Sequence, residues 1–215
     1  MPDIIGIFGG TFDPVHNGHT KTISYLLKLI PFKKIIVIPN AKPPQGKEVI
    51  GSVEDRLAMT ILAFKKHRRV VVDDRESLRP GPSYAIDTVK EILKEEKISI
   101  LSMIVGSDVF AEIDSWHHWE ELFRLVHFVV MKRPDYPIPK KKKSFQLINK
   151  GNSIEELAKA DGTGKVIEVR VKPMKVSSTR IRKNLATGRS IESLVGSEVR
   201  DYLLINKLYG RENKT

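Results

Sequence analysis

Short apolar runs rich in β-branched residues alternate with amphipathic stretches along this chain, and that alternation restricts the fold more than any other feature. Ile4 to Phe8 runs into Gly9 and Gly10, the pattern of a buried strand stopped by a tight turn. Ile23, Leu26, Leu27 and Ile30 then fall at i, i+3, i+4 and i+7, one face of a helix that Pro31 closes. Lys34 to Ile38 predicts a second strand and Val70 to Val72 a third. Between them Ser52 predicts the N-cap of a helix through VEDRLAMTILAF, with Asp55 three residues on in the manner of a capping box. A loop, ESLRPGP, leads to Ser83, an N-cap candidate for a helix through Glu96 whose inward stripe is Ile86, Val89 and Leu93. Ile98 to Val105, Phe128 to Met131 and Lys165 to Val171 predict further strands, and Trp116 to Phe123 a short helix. Finally, SSTRIRKNLATG after Val176 predicts a helix with a serine cap at its start and Gly188 at C′. The fold class that follows is α/β: a doubly wound, largely parallel sheet with helices on both faces. Such sheets bind ligands beyond the carboxyl ends of their strands, where the strand order reverses.

With 215 residues, 40% of them hydrophobic, the chain can bury a core unaided, and having no cysteine it holds no disulfide and no thiolate zinc site. No repeat or composition shift divides it, so the expectation is a single domain over 1–215 with a proline- and lysine-rich excursion around 134–150. The opening MPDIIGIFGG lacks a basic leader segment, and the apolar runs are far too short to span a bilayer. A cytoplasmic protein with no membrane partner is expected. Its 37 Lys and Arg exceed 26 Asp and Glu, a net +11 that suits either a nucleic acid or a small polyanion such as a nucleotide. Part of the excess is the block Lys140 to Lys143, which reads as a solvated loop. No RRM, helix-turn-helix or zinc-finger signature accompanies it, so a nucleic-acid-binding module is the distant alternative and no nucleic-acid partner is expected.

The chemistry concentrates in GGTFDPVHNGH, Gly9 to His19, between the first strand and first helix. It is neither a G-x-G-x-x-G fingerprint nor a P-loop, which removes the main support for dehydrogenase and Walker-type ATPase readings. Gly9 and Gly10 let backbone N–H groups approach a phosphate with no Cβ in the way. His16 and His19, three apart at a helix start, place two imidazoles on one side beside the positive end of the helix dipole. His-x-x-His can also ligate a metal, but no cysteine and no H-E-x-x-H helix supports a zinc site. Ser177, Ser178 and Thr179, with Arg182 a turn later, form a second anion-binding helix start, whose guanidinium can hold a phosphate bidentately.

These two segments, HNGH at 16–19 and SSTRIR at 177–182, resemble the H-x-G-H and S-S-T-x-x-R marks of the nucleotidyltransferase superfamily. IPNAKPP at 38–44, PSYAIDT at 82–88, GSDVFAEIDSW at 106–116 and KRPDYP at 132–137 extend the resemblance over almost the whole chain, toward bacterial nicotinate-nucleotide adenylyltransferases. The resemblance implies a Rossmann-like nucleotidyltransferase fold and transfer of AMP from ATP to nicotinate mononucleotide, with magnesium, giving deamido-NAD and pyrophosphate. Adenylyl transfer to nicotinamide mononucleotide or phosphopantetheine is the alternative. It further implies His16, His19, Gly9, Gly10, Thr11, Gly106, Asp108, Ser178, Thr179 and Arg182 at ATP. Tyr84, Ala85, Trp116, His117, Arg133 and Lys47 would lie at the acceptor, with Trp116 stacking on the pyridine ring. Magnesium is expected through phosphates and water rather than protein ligands. The chain departs from its relatives where they read PPHK: here Gln45 replaces the histidine and the lysine moves to Lys47. Ala85 stands where relatives often carry threonine, and Asp135 where they often carry glycine.

Overall fold

The computed structural model describes residues 3–44, 48–96, 100–132, 149–150, 164–172 and 174–210. Its strands are β1 (Ile4–Gly10), β2 (Phe32–Pro39), β3 (Val70–Val72), β4 (Ile100–Gly106), β5 (His127–Lys132), β6 (Asn149–Lys150) and β7 (Lys165–Arg170). All pair in parallel, in the order β3-β2-β1-β4-β5-β7-β6. The order reverses between β1 and β4, so the crevice for a ligand opens where Gly10 and Gly106 end adjacent strands.

The helices are α1 (Asn17–Leu29), α2 (Val53–Phe64), α3 (Arg75–Leu78), α4 (Ala85–Glu95), α5 (Ser107–Phe110), α6 (Trp119–Leu125), α7 (Ser178–Ala186) and α8 (Ser197–Ile205). One sheet face is covered by Ile23 and Leu26 of α1, Met59 and Phe64 of α2, Ile181 of α7 and Val199 and Leu203 of α8. Ile86, Val89 and Ile92 of α4, Phe110 of α5 and Leu122 and Phe123 of α6 cover the other. With both faces buried, the strands read as continuous apolar runs, and the alternation in the sequence translates directly into this architecture. No helix among the described residues is long and apolar enough to cross a membrane.

Local signals mostly formed what they predict. Ser52 Oγ accepts from Asp55 N at the start of α2 and donates to its carboxylate. Ser177 caps α7 by accepting from Arg180 N, and Gly188 leaves that helix at φ +68°. Ser83 does not cap α4. Its hydroxyl instead accepts from Ala41 N and Lys42 N, fastening the loop after β2, and Tyr84 takes the N-cap place with no side-chain bond. The inward stripe of α4 also ends on Ile92 rather than Leu93, which is only partly buried. Trp116 is not helical: it follows a 3₁₀ turn, Ile113–Ser115, and α6 starts at Trp119 because His118 takes a left-handed conformation, φ 50°. The stretch ESLRPGP is not all loop, since α3 forms within it. The excursion and its lysine block fall almost wholly outside the described residues.

Candidate active site

The turn after β1 and the start of α7 are separated by most of the chain, yet they are bonded to each other. Ser178 Oγ donates to Pro14 O at 2.9 Å, and Arg182 Nη1 donates to Asp13 O at 2.6 Å. Arg182 Nη1 also lies 3.5 Å from Asp13 Oδ2. Gly18 gives the third point of contact. A Cβ there would lie 2.9 Å from the His16 ring and 3.0 Å from Val176 Cγ1, so only glycine lets α1 seat between them. Two helix N-termini, each with its positive dipole end, thus share one mouth.

His16 is the N-cap of α1, and its ring stacks on that of His19 with centroids 3.7 Å apart and planes 14° from parallel. The His16 N–H donates to His19 Nδ1 at 3.1 Å, which makes Nδ1 the acceptor and puts the ring proton on Nε2. The edge of Phe12 packs on His19, with centroids 5.0 Å apart, and orients that ring. The two glycines before them differ. A Cβ on Gly10 would press to 3.0 Å against Phe12, so packing accounts for this glycine. A Cβ on Gly9 would come no nearer than 4.0 Å to any protein atom, so nothing in the fold requires glycine there. The open space above Gly9 is what a close-approaching ligand needs.

Across the switch point, Gly106 is buried at the end of β4 and Asp108 is half-buried in α5. The acceptor-side candidates form a second group. The rings of Tyr84 and His117 lie 4.2 Å apart, which brings the N-terminus of α4, at Ala85, beside the segment after Trp116. Trp116 is half-buried against the core beneath α4 and α6. Lys47 and Arg133 lie outside the described residues. Among the described residues no three His, Asp or Glu side chains gather as a metal site.

The cytidylyltransferase-like family pattern matches residues 7–184, a stretch that contains both helix starts. This chain belongs to that family. Full-length relatives are nicotinate-nucleotide adenylyltransferases by name. The chain is 36% identical over 210 residues to "Probable nicotinate-nucleotide adenylyltransferase" of Pseudomonas putida strain W619, covering 97% of this chain and 96% of the relative. It is 31% identical to the protein of the same name from Acidithiobacillus ferrooxidans, over 96% of each. Among solved structures, the Plasmodium falciparum nicotinic acid mononucleotide adenylyltransferase complexed with NaAD superposes with a TM-score of 0.74 at 20% identity, over 96% of this chain and 97% of that one, and so shares the fold.

Two residues essential to the geometry of this family member escape the sequence reading. Arg56 is 1% exposed, and its guanidinium donates to four main-chain carbonyls: Thr11 and Gly51, and Asn40 and Ala41 after β2. It pins the turn after β1 to the loop beyond the neighbouring strand. Burial pushes its pKa below the ordinary arginine value while Asp13 pulls it back, and arginine stays charged under any such shift. The signal was there: Arg56 shares its helix face with buried Met59, Thr60 and Phe64, a charge standing where the stripe wants an apolar residue. Asp13, 4% exposed, is the other.

Proposed function

We propose that this protein transfers the AMP moiety of ATP to nicotinate mononucleotide, forming deamido-NAD and pyrophosphate, a step of NAD biosynthesis. The observation that carries this reading is the shared mouth of α1 and α7, held by the Ser178–Pro14 and Arg182–Asp13 bonds. Its chemistry is that of an anion cradle: imidazoles, hydroxyls, a guanidinium and helix N-termini.

Such a set suits attack by a group that is already anionic. An oxygen of the acceptor's phosphate attacks the α-phosphorus of ATP in line, the bond from that phosphorus to the bridging oxygen breaks, and the electron pair leaves with pyrophosphate. Catalysis then consists of alignment and neutralisation of developing charge. In this reading the N–H groups of Gly9 and Gly10, with Thr11, orient the α-phosphate region. His16 and His19 donate to phosphate oxygens, His19 through Nε2–H. Thr179, Arg182 and the backbone N–H of Ser178, whose hydroxyl is already given to Pro14 O, hold the β- and γ-phosphates, and Gly106 and Asp108 meet the ribose. Trp116 offers its indole face to the pyridine ring, while the N–H groups near Ala85 and His117 face the ring carboxylate beside Tyr84. Arg133 and Lys47 would supply charge at the acceptor phosphate. Magnesium, held by phosphate oxygens and water, would add charge neutralisation when bound.

The test is pyrophosphate release by purified protein given ATP, magnesium and one acceptor at a time. Turnover with nicotinate mononucleotide, with deamido-NAD identified by mass, is expected. Turnover confined to nicotinamide mononucleotide or phosphopantetheine would replace the proposed acceptor, and turnover with none would refute adenylyl transfer.

A further inference from the structure

The groups that the transfer leaves unused gather beneath the phosphate turn. Asp13 Oδ1 accepts from Gly51 N at 2.9 Å and from Tyr209 Oη at 2.6 Å, and Oδ2 accepts from Ile50 N at 3.0 Å. The same carboxylate, through Oδ2, faces Arg182. The Tyr209 contact is built at a cost. A Cβ at residue 51 would clash with the Tyr209 hydroxyl and lie 2.9 Å from Asp13 Oδ1, so Gly51 is what lets the phenol meet the carboxylate. Lys207 and Tyr209 both take left-handed backbone angles, φ 51° and 56°, strained for side chains of their kind. The turn is tied back onto α8 by Lys207 N to Leu204 O and Leu208 N to Leu203 O. Burial, with Asp13 accepting its proton, pushes the Tyr209 pKa well above the ordinary tyrosine value, so the phenol is a donor throughout the working range.

We infer that Tyr209 is a positioning residue for ATP, acting through Asp13 to set the attitude of Arg182. The inference rests on the adenylyl-transfer reading only for the identity of the nucleotide. Its physics is a competition. Asp13 is a buried carboxylate whose charge is shared among two N–H groups, one phenol, the Arg182 guanidinium and, without a direct bond, the buried Arg56 guanidinium. Charge-assisted bonds are the strong ones, and Arg56 is held in place by its four carbonyls, so removing the phenol leaves more carboxylate charge for Arg182. The guanidinium, now 3.5 Å from Oδ2, would be drawn into closer contact and away from the phosphates. The last turn after α8 therefore adjusts a residue of the cradle without touching the nucleotide.

Tyr209→Phe keeps the ring and deletes the donor. The expected result is an ATP KM, and a Kd for α,β-methylene-ATP by calorimetry, raised about tenfold, with kcat and the KM of the acceptor each changed less than about threefold. In an Arg182→Ala background the same substitution should leave the Kd for the analogue within about twofold, because the residue it acts through is gone. A merely structural tyrosine would give the same loss in both backgrounds. Tyr209→Leu, which also deletes the donor, should reproduce the ATP defect and serves if the phenylalanine variant folds poorly; melting temperatures report the fold of each. Equal analogue affinity for wild type and Tyr209→Phe, or equal fold-loss with and without Arg182, overturns the inference. Lack of turnover by the wild type that still binds the analogue overturns the transfer reading instead.

Discussion

Arg56→Ala is the sharpest perturbation of the scaffold under the cradle. The guanidinium donates to the carbonyls of Thr11, Asn40, Ala41 and Gly51, and at 1% exposure it has no water to fall back on. A hydrogen bond from a charged donor contributes about 1.5–3 kcal/mol net, and a buried carbonyl left unsatisfied costs about 1–3 kcal/mol. Four such losses would exceed the stability of many proteins, but two effects reduce them. The mutant no longer buries a cation, which relieves several kcal/mol. All four carbonyls also belong to residues that are only half-buried, so water can reach some of them through the vacated space. The balance is a loss of about 3 kcal/mol, which for a chain of this size lowers Tm by roughly 6–12 °C. Urea unfolding and scanning calorimetry read it directly. Arg56→Lys should recover less than half, since one ammonium cannot span carbonyls on three segments. Below the melting transition, kcat/KM for ATP should fall in both variants, because the turn at Thr11 loses its tie to Asn40 and Ala41. A Tm within about 2 °C of wild type for Arg56→Ala would refute the account, and so would full rescue by lysine.

His19→Ala should lower kcat by about 10²–10³ with the fold intact, and near-normal turnover would remove that imidazole from the charge-stabilising role. Gly9→Ala should leave Tm almost unchanged and raise the ATP KM, whereas Gly10→Ala should lower Tm by crowding Phe12; equal ATP affinity in Gly9→Ala and wild type would empty the space above Gly9 of its assigned function. Trp116→Ala should raise the acceptor KM more than that of ATP, and melting curves separate this from lost packing. Asp73 is half-buried, which alone would raise its pKa, but the Arg75 guanidinium bonded to it holds the carboxyl below its ordinary value. A depressed carboxyl pKa adds stability above the unfolded value, near 4, and loses it as pH falls through the folded value. Asp73→Asn should therefore destabilise at pH 7 and converge on wild type in the acid limit; a constant gap across pH would refute the linkage.

The sheet was legible because buried parallel strands and amphipathic helices write different periods, as Ile35 to Ile38 and Ile23, Leu26 and Ile30 illustrate. The pairing of His16 with His19 was legible too, since residues three apart at a helix start lie on one side. Ser83 was misread because a hydroxyl before a helix has two sets of partners, local amides and distant ones, and sequence shows only the first. Trp116 was placed in a helix because no local rule foretells a left-handed His118. The helix face of Arg56 signals its burial, but its partners and those of Tyr209 stayed hidden for a common reason: Thr11 and Asp13 are 45 and 196 residues away, and only tertiary structure joins them.

The bond from Ser178 to Pro14 bridges 164 positions. During synthesis the histidine turn and the central strands can form well before α7 exists, but they present only one of the two helix starts that hydrogen bonds later join. If the two helix starts act together as proposed, a nascent chain stays catalytically silent until its C-terminal portion has docked, and a fragment ending before residue 178 should not consume ATP.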